Sequence, residues 1–424
     1  MSFIYDDKIS FDDSPSVTAF SRARTAEARL LLESRYQYGS GTSTEMNDLI
    51  VGSGTLVSDQ PRNCYLGNVT TASGDRVVRQ TKQYAPYIAG TSNLGMITFT
   101  MNSAKQNLRQ SVGMFDDSNG FIFRMNGLVP EFVIRKSGSD TEVVSASNWN
   151  LDRLDGSKNN LNKSGIQIDY AKSQILVIDY QWLGVGRVRM GFVIGGNIVF
   201  CHEFNHANSV TEVYTNQPSL PCRWEIHNTG VTTSASQIMM ICAAVYCEGS
   251  DSETGFSRSI STDGTSVSIT SANSSNGRGI IAFRLKNTLV GKPNHALARL
   301  KTWSVLSNSD MQYKIVILPG KAALSDPNIA WTSVPGYGWC EYIKDFALAS
   351  TWNSTGDFSV IMDDFASGAS GNSSGQNAVG ILDNRSNCIY QNYDATDSQI
   401  MAIIGYRLSQ DATVRAAMSW TEVK

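Results

Sequence analysis

Residues 187–204 read RVRMGFVIGGNIVFCHEF, and this stretch decides the fold. Two runs rich in β-branched and aromatic residues flank Gly195, Gly196 and Asn197. Glycine and asparagine accept the positive backbone angles that tight hairpin turns require. The stretch therefore predicts a β-hairpin whose second strand ends near Phe204.

The second half of this hairpin runs into His202, Glu203 and His206, which spell the zinc-peptidase pattern H-E-x-x-H. That pattern works on a helix, where residues i and i+4 lie on one face. On a strand the two histidines would lie roughly 13 Å apart, too far to share an ion through bonds of about 2 Å. The hairpin context therefore disfavours zinc hydrolysis, and we expect no catalytic and no metal-binding residues.

Short apolar runs of the same kind recur along the chain, separated by Gly, Ser, Thr and Asn. Their lengths suit strands better than helices. Those outside the hairpin are MITFTM (96–101), GFIFRM (120–125), EFVIRK (131–136), QILVIDY (174–180), RWEI (223–226), IMMICAAVYC (238–247), GIIAFRL (279–285) and YKIVIL (313–318). With only 17% charged residues, the pattern predicts an all-β protein.

One segment near the start favours a different structure. Residues 16–36 place Phe20, Ala23, Glu27, Leu30 and Leu31 at helical spacing, which predicts a helix. The alternative is an extended arm that a neighbouring subunit orders, because the arginines of this segment leave its apolar stripe thin.

A composition break between residues 248 and 279 divides the chain, because a stretch so rich in Ser, Gly and Thr builds little core of its own. We predict an N-terminal arm or helix (1–40), a β-sandwich domain (41–250), a connector (251–278) and a second β-rich domain (279–424). One short strand is expected in the connector, at residues 265–270.

Composition also excludes several classes of partner. The formal net charge of −3 gives no basic stripe for nucleic acid or an anionic membrane. No apolar run reaches the roughly 20 residues of a membrane-spanning helix, and the N-terminal MSFIYDDKISFDD lacks the features of a signal peptide. The seven scattered cysteines predict reduced thiols without disulfides. We expect no cofactor and no membrane insertion.

Two further groups of residues are candidates for chemistry. The adjacent acids Asp116 and Asp117 precede Asn119-Gly120, which predicts a turn rather than a pair of glycosidase carboxylates, with calcium binding as a minority alternative. A cluster of aromatic residues could stack on sugar rings, or it could pack in a core or a subunit interface. We favour packing in a core or an interface. The members of the cluster are Trp331, Tyr337, Trp339, Tyr342 and Trp352.

Residues 174–208, QILVIDYQWLGVGRVRMGFVIGGNIVFCHEFNHAN, together with PCRWEI (221–226), resemble virion structural proteins of tailed bacteriophages. The similarity extends through 107–127 and 148–156 and, more weakly, through 278–300. The resemblance implies a β-rich particle component with no assigned reaction, and it transfers no catalytic residue. The hairpin also looks like the paired strands of concanavalin-like jelly-roll sandwiches that occur in phage fibres, spikes and baseplates.

The resulting expectation is a non-enzymatic structural component of a phage virion, an oligomeric tail, baseplate or fibre protein that contributes to host attachment. A capsid decoration or minor capsid protein is the first alternative, and a carbohydrate-binding receptor module is the second. The expected partners are further copies of the chain, as a homo-oligomer such as a trimer, other virion proteins and a host surface glycan. The expected location is the virion, after synthesis in the host cytoplasm.

Overall fold

The computed structural model describes residues 3–5, 8–10, 16–36, 45–249, 255–350, 352, 358–366, 368 and 388–423. The chain divides into two compact units, Met1–Ser252 (unit 1) and Glu253–Lys424 (unit 2). Within the described ranges the regular structure consists of strands and four single-turn 3-10 helices, and no helix is long and apolar enough to cross a membrane. The prediction of an all-β protein is therefore confirmed.

Unit 1 contains the first seventeen strands and two of the 3-10 helices. The strands are β1 (Phe3–Tyr5), β2 (Lys8–Ser10), β3 (Ala28–Arg35), β4 (Met46–Val51), β5 (Thr55–Asp59), β6 (Cys64–Val69), β7 (Arg76–Thr81), β8 (Asn93–Thr100), β9 (Leu108–Phe115), β10 (Gly120–Asn126), β11 (Val129–Lys136), β12 (Ser139–Ser145), β13 (Gln174–Tyr180), β14 (Val188–Ile194), β15 (Asn197–Phe204), β16 (Cys222–Asn228) and β17 (Ser236–Glu248). The 3-10 helices are Gln60–Arg62 and Ala146–Asn148.

Two large antiparallel sheets form unit 1. One has seven strands in the order β12-β11-β10-β9-β16-β7-β4, and the other has eight in the order β15-β14-β13-β8-β17-β6-β5, with β3 paired to β17. Side chains alternate between the two faces of a strand, so each sheet turns one apolar row inward, including Phe123, Trp224 and Ile97. The buried cluster between the sheets makes unit 1 a jelly-roll β-sandwich, as the sequence predicted.

The hairpin at residues 187–204 forms as expected. Strands β14 and β15 pair with Ile194 opposite Asn197, and Gly195 and Gly196 make the two-residue turn with φ of 58° and 82°. Both angles lie in the left-handed region, which glycine enters without a Cβ clash. A bulge between Met190 and Gly191 then shifts the register of the pairing.

The predicted N-terminal helix is wrong. Residues 28–35 form the strand β3, which pairs with β17 of the same chain, so the expectation of an arm ordered by a neighbouring subunit is also not met in this segment. Alanine and leucine favour helix only weakly, and the unpaired edge offered by the long strand β17 outweighs that preference. The rest of the predicted arm falls partly outside the described residues, at 1–2, 6–7, 11–15 and 37–40.

A second N-terminal segment, residues 16–24, lies over the outer face of the eight-stranded sheet, and we call it the strap. The carbonyl of Val17 accepts a hydrogen bond from Arg189 Nη2 at 2.8 Å, and Arg24 Nη2 lies 3.0 Å from Asp179 Oδ1. Val17 and Thr18 are fully buried. The strap is therefore an ordered part of unit 1.

Unit 2 contains the remaining strands and two more 3-10 helices. The strands are β18 (Gly255–Ser261), β19 (Val267–Ile269), β20 (Arg278–Leu285), β21 (Thr288–Leu289), β22 (Lys292–Pro293), β23 (Leu297–Ser307), β24 (Met311–Leu318), β25 (Thr332–Ser333), β26 (Cys340–Phe346), β27 (Ser359–Ala366), β28 (Cys388–Ile389), β29 (Ile400–Arg407) and β30 (Ala412–Val423). The 3-10 helices are Ser271–Asn273 and Lys321–Ala323.

The strands of unit 2 also build two principal sheets. A five-stranded sheet has the order β18-β30-β23-β28 with β19 on β30, and a six-stranded sheet has the order β25-β26-β20-β29-β24-β27. The segment predicted as a connector differs from expectation, because β18 and β19 both pair with β30 inside the five-stranded sheet. Strand β19 does lie within 265–270, where the one short strand was expected. Residues 251–254 of that segment are outside the described ranges.

Candidate functional site

The H-E-x-x-H segment lies at the end of strand β15, where it cannot form a helical zinc site. His202 accepts a hydrogen bond at Nδ1 from the backbone N–H of Asn150, and Glu203 pairs with Arg187 at 2.9 Å. His206 lies beyond the strand, with Nδ1 at 2.7 Å from the carbonyl of Gly186 and Nε2 at 2.9 Å from a carboxylate oxygen of Glu142. His202, Glu203 and His206 therefore each contact different neighbouring groups.

The electrostatics of His202 agree with a neutral, structural imidazole. Burial lowers the pKa of His202 from 6.5 to about 4, against a smaller opposing effect of Glu203 and Glu142. Across the described residues, no group of three or more His, Cys, Asp or Glu side chains is arranged to hold a metal ion. The seven cysteines are all unpaired, and all but Cys242 are buried.

The five aromatic residues that the sequence groups together lie in different parts of unit 2. Trp339 and Tyr342 pack against the core between the two sheets, whereas Trp352 is buried on the other side of the six-stranded sheet. Trp331 packs there too and carries the guanidinium of Arg284 at 4.3 Å from its ring centre. Tyr337 is 98% exposed. The five rings therefore do not form one stacking platform.

The paired acids take separate roles. Asp116 Oδ1 accepts backbone N–H groups from Ser118 and Asn119, both at 2.7 Å, which makes the turn that the sequence predicts. Asp117 instead reaches Arg76 at 3.2 Å and Arg223 at 2.9 Å. Arg76 and Arg223 lie on the outer face of the seven-stranded sheet, and we call this surface the polar face.

A row of side chains crosses the polar face from strand to strand. Cross-strand partners lie on the same side of a sheet, and the register places His227 opposite both Arg76 and Arg109, with Asn126 opposite Arg109. We call Arg76, His227, Arg109 and Asn126 the polar row. Val51 on β4 and Val129 on β11 extend it at its two ends, and both are exposed. Six strands spaced about 4.8 Å apart give the row a length of roughly 24 Å.

Ion pairs occupy the polar face beside the row. Arg223 contacts Glu225 at 2.7 Å, and Glu225 also contacts Arg76 at 2.9 Å. Burial opposes ionisation of Glu225, but the charges and hydrogen bonds of Arg223 and Arg76 outweigh it and lower the pKa of this carboxyl. Arg223 is fully buried and Glu225 is 7% exposed although both point away from the core. The face is therefore recessed rather than freely solvated.

A second network lies on strands β10 to β12. Arg124 contacts Glu131 and Asp140, and Arg135 contacts Asp140 at 2.9 Å. Burial would raise the pKa of Asp140, but hydrogen bonds from Arg124 and Arg135 outweigh it, so the pKa is lowered. The two arginines therefore hold the Asp140 carboxylate ionised.

Arg109 stands apart from both networks. Its side chain has no ion-pair partner within 4 Å among the residues that the structure describes, and the one side-chain hydrogen bond there joins Nε to Asn126 Oδ1 at 3.4 Å. Burial and the charge of Arg124 lower the pKa of Arg109, and they outweigh the opposing effect of the carboxylates of Asp140, Glu225 and Glu131. Neighbouring His227 is half-buried, and burial lowers its pKa as well.

Sequence reasoning identified none of the polar row. The alternation Arg223, Glu225, His227 against Trp224 and Ile226 in CRWEIHN was a usable signal, since it marks one polar and one apolar face of a strand. That signal gives the polar residues of one strand alone, because the identity of the neighbouring strands comes only from the fold.

Comparisons with known proteins give a likeness of low identity. No protein-family model matches the chain, and no curated protein matches it. Similar solved structures include a β-glucanase of Bacillus licheniformis (8% identity, 51% of this chain and 98% of that chain, TM-score 0.34) and a peanut lectin (9%, 53% and 100%, TM-score 0.32). An endo-β-1,4-glucuronan lyase of Trichoderma reesei is 12% identical over 51% of this chain and 95% of that chain, with a TM-score of 0.31. At these scores the likeness carries no inference about ligand or reaction.

Proposed function

We propose that the chain is a non-enzymatic glycan-binding protein whose binding surface is the polar face of unit 1. The polar row carries this proposal, because it places guanidinium, imidazole and amide groups side by side across the sheet. Sugar hydroxyls need such donors and acceptors at short intervals. A row of roughly 24 Å is long enough for several sugar residues of a glycan chain.

The ion pairs beside the row support this role. Burying charged groups costs free energy that their mutual attraction only partly returns, so buried pairs are weak evidence for stability. Here Arg223 and Glu225 are buried on an outward-facing surface. Such pairs fix the orientation of the face before a ligand arrives, and this reduces the ordering that binding requires.

The absence of catalysis is part of the proposal. A glycosidase needs one carboxylic acid whose pKa is raised, so that it is protonated at working pH. On the polar face the pKa values of Glu225 and Asp140 are lowered by arginines. Incubation with soluble polysaccharides, followed by assay for new reducing ends and for unsaturated products, should give no product above background.

The binding test uses the full chain on a glycan array, with titration calorimetry on any glycan bound. Asn126→Trp places a large ring at the end of the polar row on an exposed position. Asn197→Trp is the matched control, because Asn197 is an exposed asparagine beside the two-residue turn of β14 and β15. We expect Asn126→Trp to weaken binding at least tenfold and Asn197→Trp to leave it unchanged.

Two results would contradict the glycan proposal. The first is a wild-type chain that binds no glycan on the array. The second is equal binding by Asn126→Trp and the wild type, which would move the binding surface elsewhere.

The virion is the proposed setting of this activity, as a tail, baseplate or fibre component, with the capsid as the alternative. The residues that resemble phage virion proteins, 107–127 and 221–226, include strands β9 and β10 and most of β16, which carry Arg109, Arg124 and Arg223. The surface proposed for glycans is thus built largely from the virion-like part of the chain. Mass spectrometry of purified phage particles and of their separated heads and tails tests this setting. Absence of the chain from purified particles would reject it.

A further inference from the structure

The charges on the polar face are not evenly balanced. Arg76, Arg124, Arg135 and Arg223 each contact at least one carboxylate, whereas Arg109 contacts none in the described chain. Arg109 is nevertheless partly buried. Burial and the charge of Arg124 outweigh the attraction of the nearby carboxylates of Asp140, Glu225 and Glu131, none of which contacts it, so the pKa of Arg109 is lowered. An anion in direct contact with this guanidinium would therefore be favourable.

The surroundings of Arg109 are those of a recognition site. His227 and Asn126 face it from the strands on either side, and Arg124 lies on the neighbouring strand β10. A guanidinium presents parallel N–H donors that match the oxygens of one anionic group, and the neighbouring imidazole and amide supply further polar contacts. An anion here would also offset the repulsion between Arg109 and Arg124.

We propose that Arg109, flanked by His227 and Asn126, binds the anionic substituent of an acidic polysaccharide, either a uronate carboxylate or a sulfate ester. This inference rests on the glycan-binding function proposed above and adds the class of glycan. Val51 and Val129 at the ends of the row supply apolar contact for the sugar rings on either side of the charged group.

The test compares each acidic polymer with its neutral counterpart by affinity electrophoresis of the full chain at 0.15 M salt, which screens non-specific attraction of exposed charges (Debye length about 8 Å). Polygalacturonate and its carboxyl-reduced form make the carboxylate arm, and dextran sulfate and dextran make the sulfate arm. Arg109→Gln removes the charge, and Arg109→Lys keeps the charge without the planar fork. Arg62→Gln is the control, because it removes an exposed arginine on the turn between β5 and β6.

We expect the wild-type chain to prefer the acidic polymer in at least one arm, which identifies the source of the anion. Arg109→Gln should lose roughly tenfold to hundredfold in affinity for that polymer, the range of a charge-assisted hydrogen-bonded pair, and Arg109→Lys should lose less. Arg62→Gln should bind as the wild type does.

The failures are distinguishable. Equal binding of acidic and neutral polymers, or an acidic preference that survives Arg109→Gln, overturns the inference and leaves the glycan-binding function standing. Binding of none of these polymers, together with no glycan on the array, overturns both.

Discussion

The two outer faces of the unit 1 sandwich carry the same types of charged residue in different settings. On the eight-stranded sheet, Asp179 and Arg189 are fully buried beneath the strap. On the polar face, Glu225 and Arg223 are also buried, yet no described segment supplies a carboxylate to Arg109 beside them. Similar pairs of arginine and acid are thus covered by the chain itself on one face, whereas on the other face we propose that they support a binding surface.

The covered face is completed by short local contacts. Asp179 accepts hydrogen bonds from Arg189 and from the hydroxyl of Ser92, and it pairs with Arg24 of the strap at 3.0 Å. The guanidinium of Arg189 lies 4.2 Å from the ring centre of Phe200. Each charge of this group therefore has a neighbour of opposite charge inside unit 1, and one guanidinium nitrogen, Nη1 of Arg189, is buried without a hydrogen-bond partner among the described residues.

Breaking the ion pair of Asp179 and Arg189 beneath the strap should have the largest effect on stability. Asp179→Ala leaves Arg189 buried without its carboxylate, and loss of one partner of a buried pair costs about 3–5 kcal/mol. Urea unfolding at pH 7 measures the free energy of unfolding, and hydrogen exchange of residues 17–24 reports whether the strap is released. The double variant Asp179→Leu/Arg189→Met is the control, since an apolar replacement of similar volume should recover most of the loss. A loss below about 1 kcal/mol for Asp179→Ala would mean that the pair does not hold the strap.

The equivalent change on the polar face should cost less. Glu225→Ala removes the contacts to Arg76 and Arg223, but Arg223 keeps Asp117 at 2.9 Å. We expect a loss of about 1–3 kcal/mol in the same urea experiment, the range for a hydrogen bond to a charged group. A loss as large as that of Asp179→Ala would show that the two faces are equally structural, and the distinction between them would fall.

Lowering the pH should reduce stability more through His202, on the eight-stranded sheet, than through His227, on the seven-stranded sheet. His202 has its pKa lowered by burial to about 4, so the unfolded chain takes up the proton between pH 6.5 and 4 while the folded chain does not. Stability is therefore full above pH 6.5 and falls as the pH drops toward 4, by about 1–2 kcal/mol between pH 7 and pH 5. Urea unfolding of His202→Gln at both pH values should lack this part of the loss. His227→Gln is the comparison, and a larger change there than in His202→Gln would contradict the prediction.

Much of the fold could be predicted from short patterns. The apolar runs between residues 96 and 318 all coincide with strands to within one residue, and the hairpin at Gly195 and Gly196 forms where glycine permits positive φ. The segment around Leu30 and Leu31 misled the prediction, because a helical spacing of apolar residues does not reveal that β17 has an edge free for pairing. The hairpin follows from the local preference of its turn residues, whereas the structure of the N-terminal segment follows from its pairing with a strand distant in sequence.

The site could be predicted only in fragments. The alternation of polar and apolar residues around Glu225 marks the polar side of β16, and Asp117 is recognisable in the sequence as one of two adjacent acids. The polar row, however, depends on the pairing of β16 with β9 and of β9 with β10, which sets His227 and Asn126 on either side of Arg109. That register follows from how the whole sandwich packs, so the sequence of any one strand does not contain it.

The smallest expected effect on stability belongs to the residue with the largest expected effect on binding. Arg109→Gln should change the free energy of unfolding by no more than about 0.5 kcal/mol. The change should be toward greater stability, because burial and the charge of Arg124 oppose the charged guanidinium more than the nearby carboxylates favour it. Urea unfolding without ligand tests this, and thermal unfolding with the preferred acidic polymer should show a rise in Tm for the wild type but not for the variant. A loss above about 1 kcal/mol would instead assign Arg109 to the support of the sheet. An unchanged free energy of unfolding together with a lost rise in Tm would support the proposal that Arg109 binds an anionic group of the polymer.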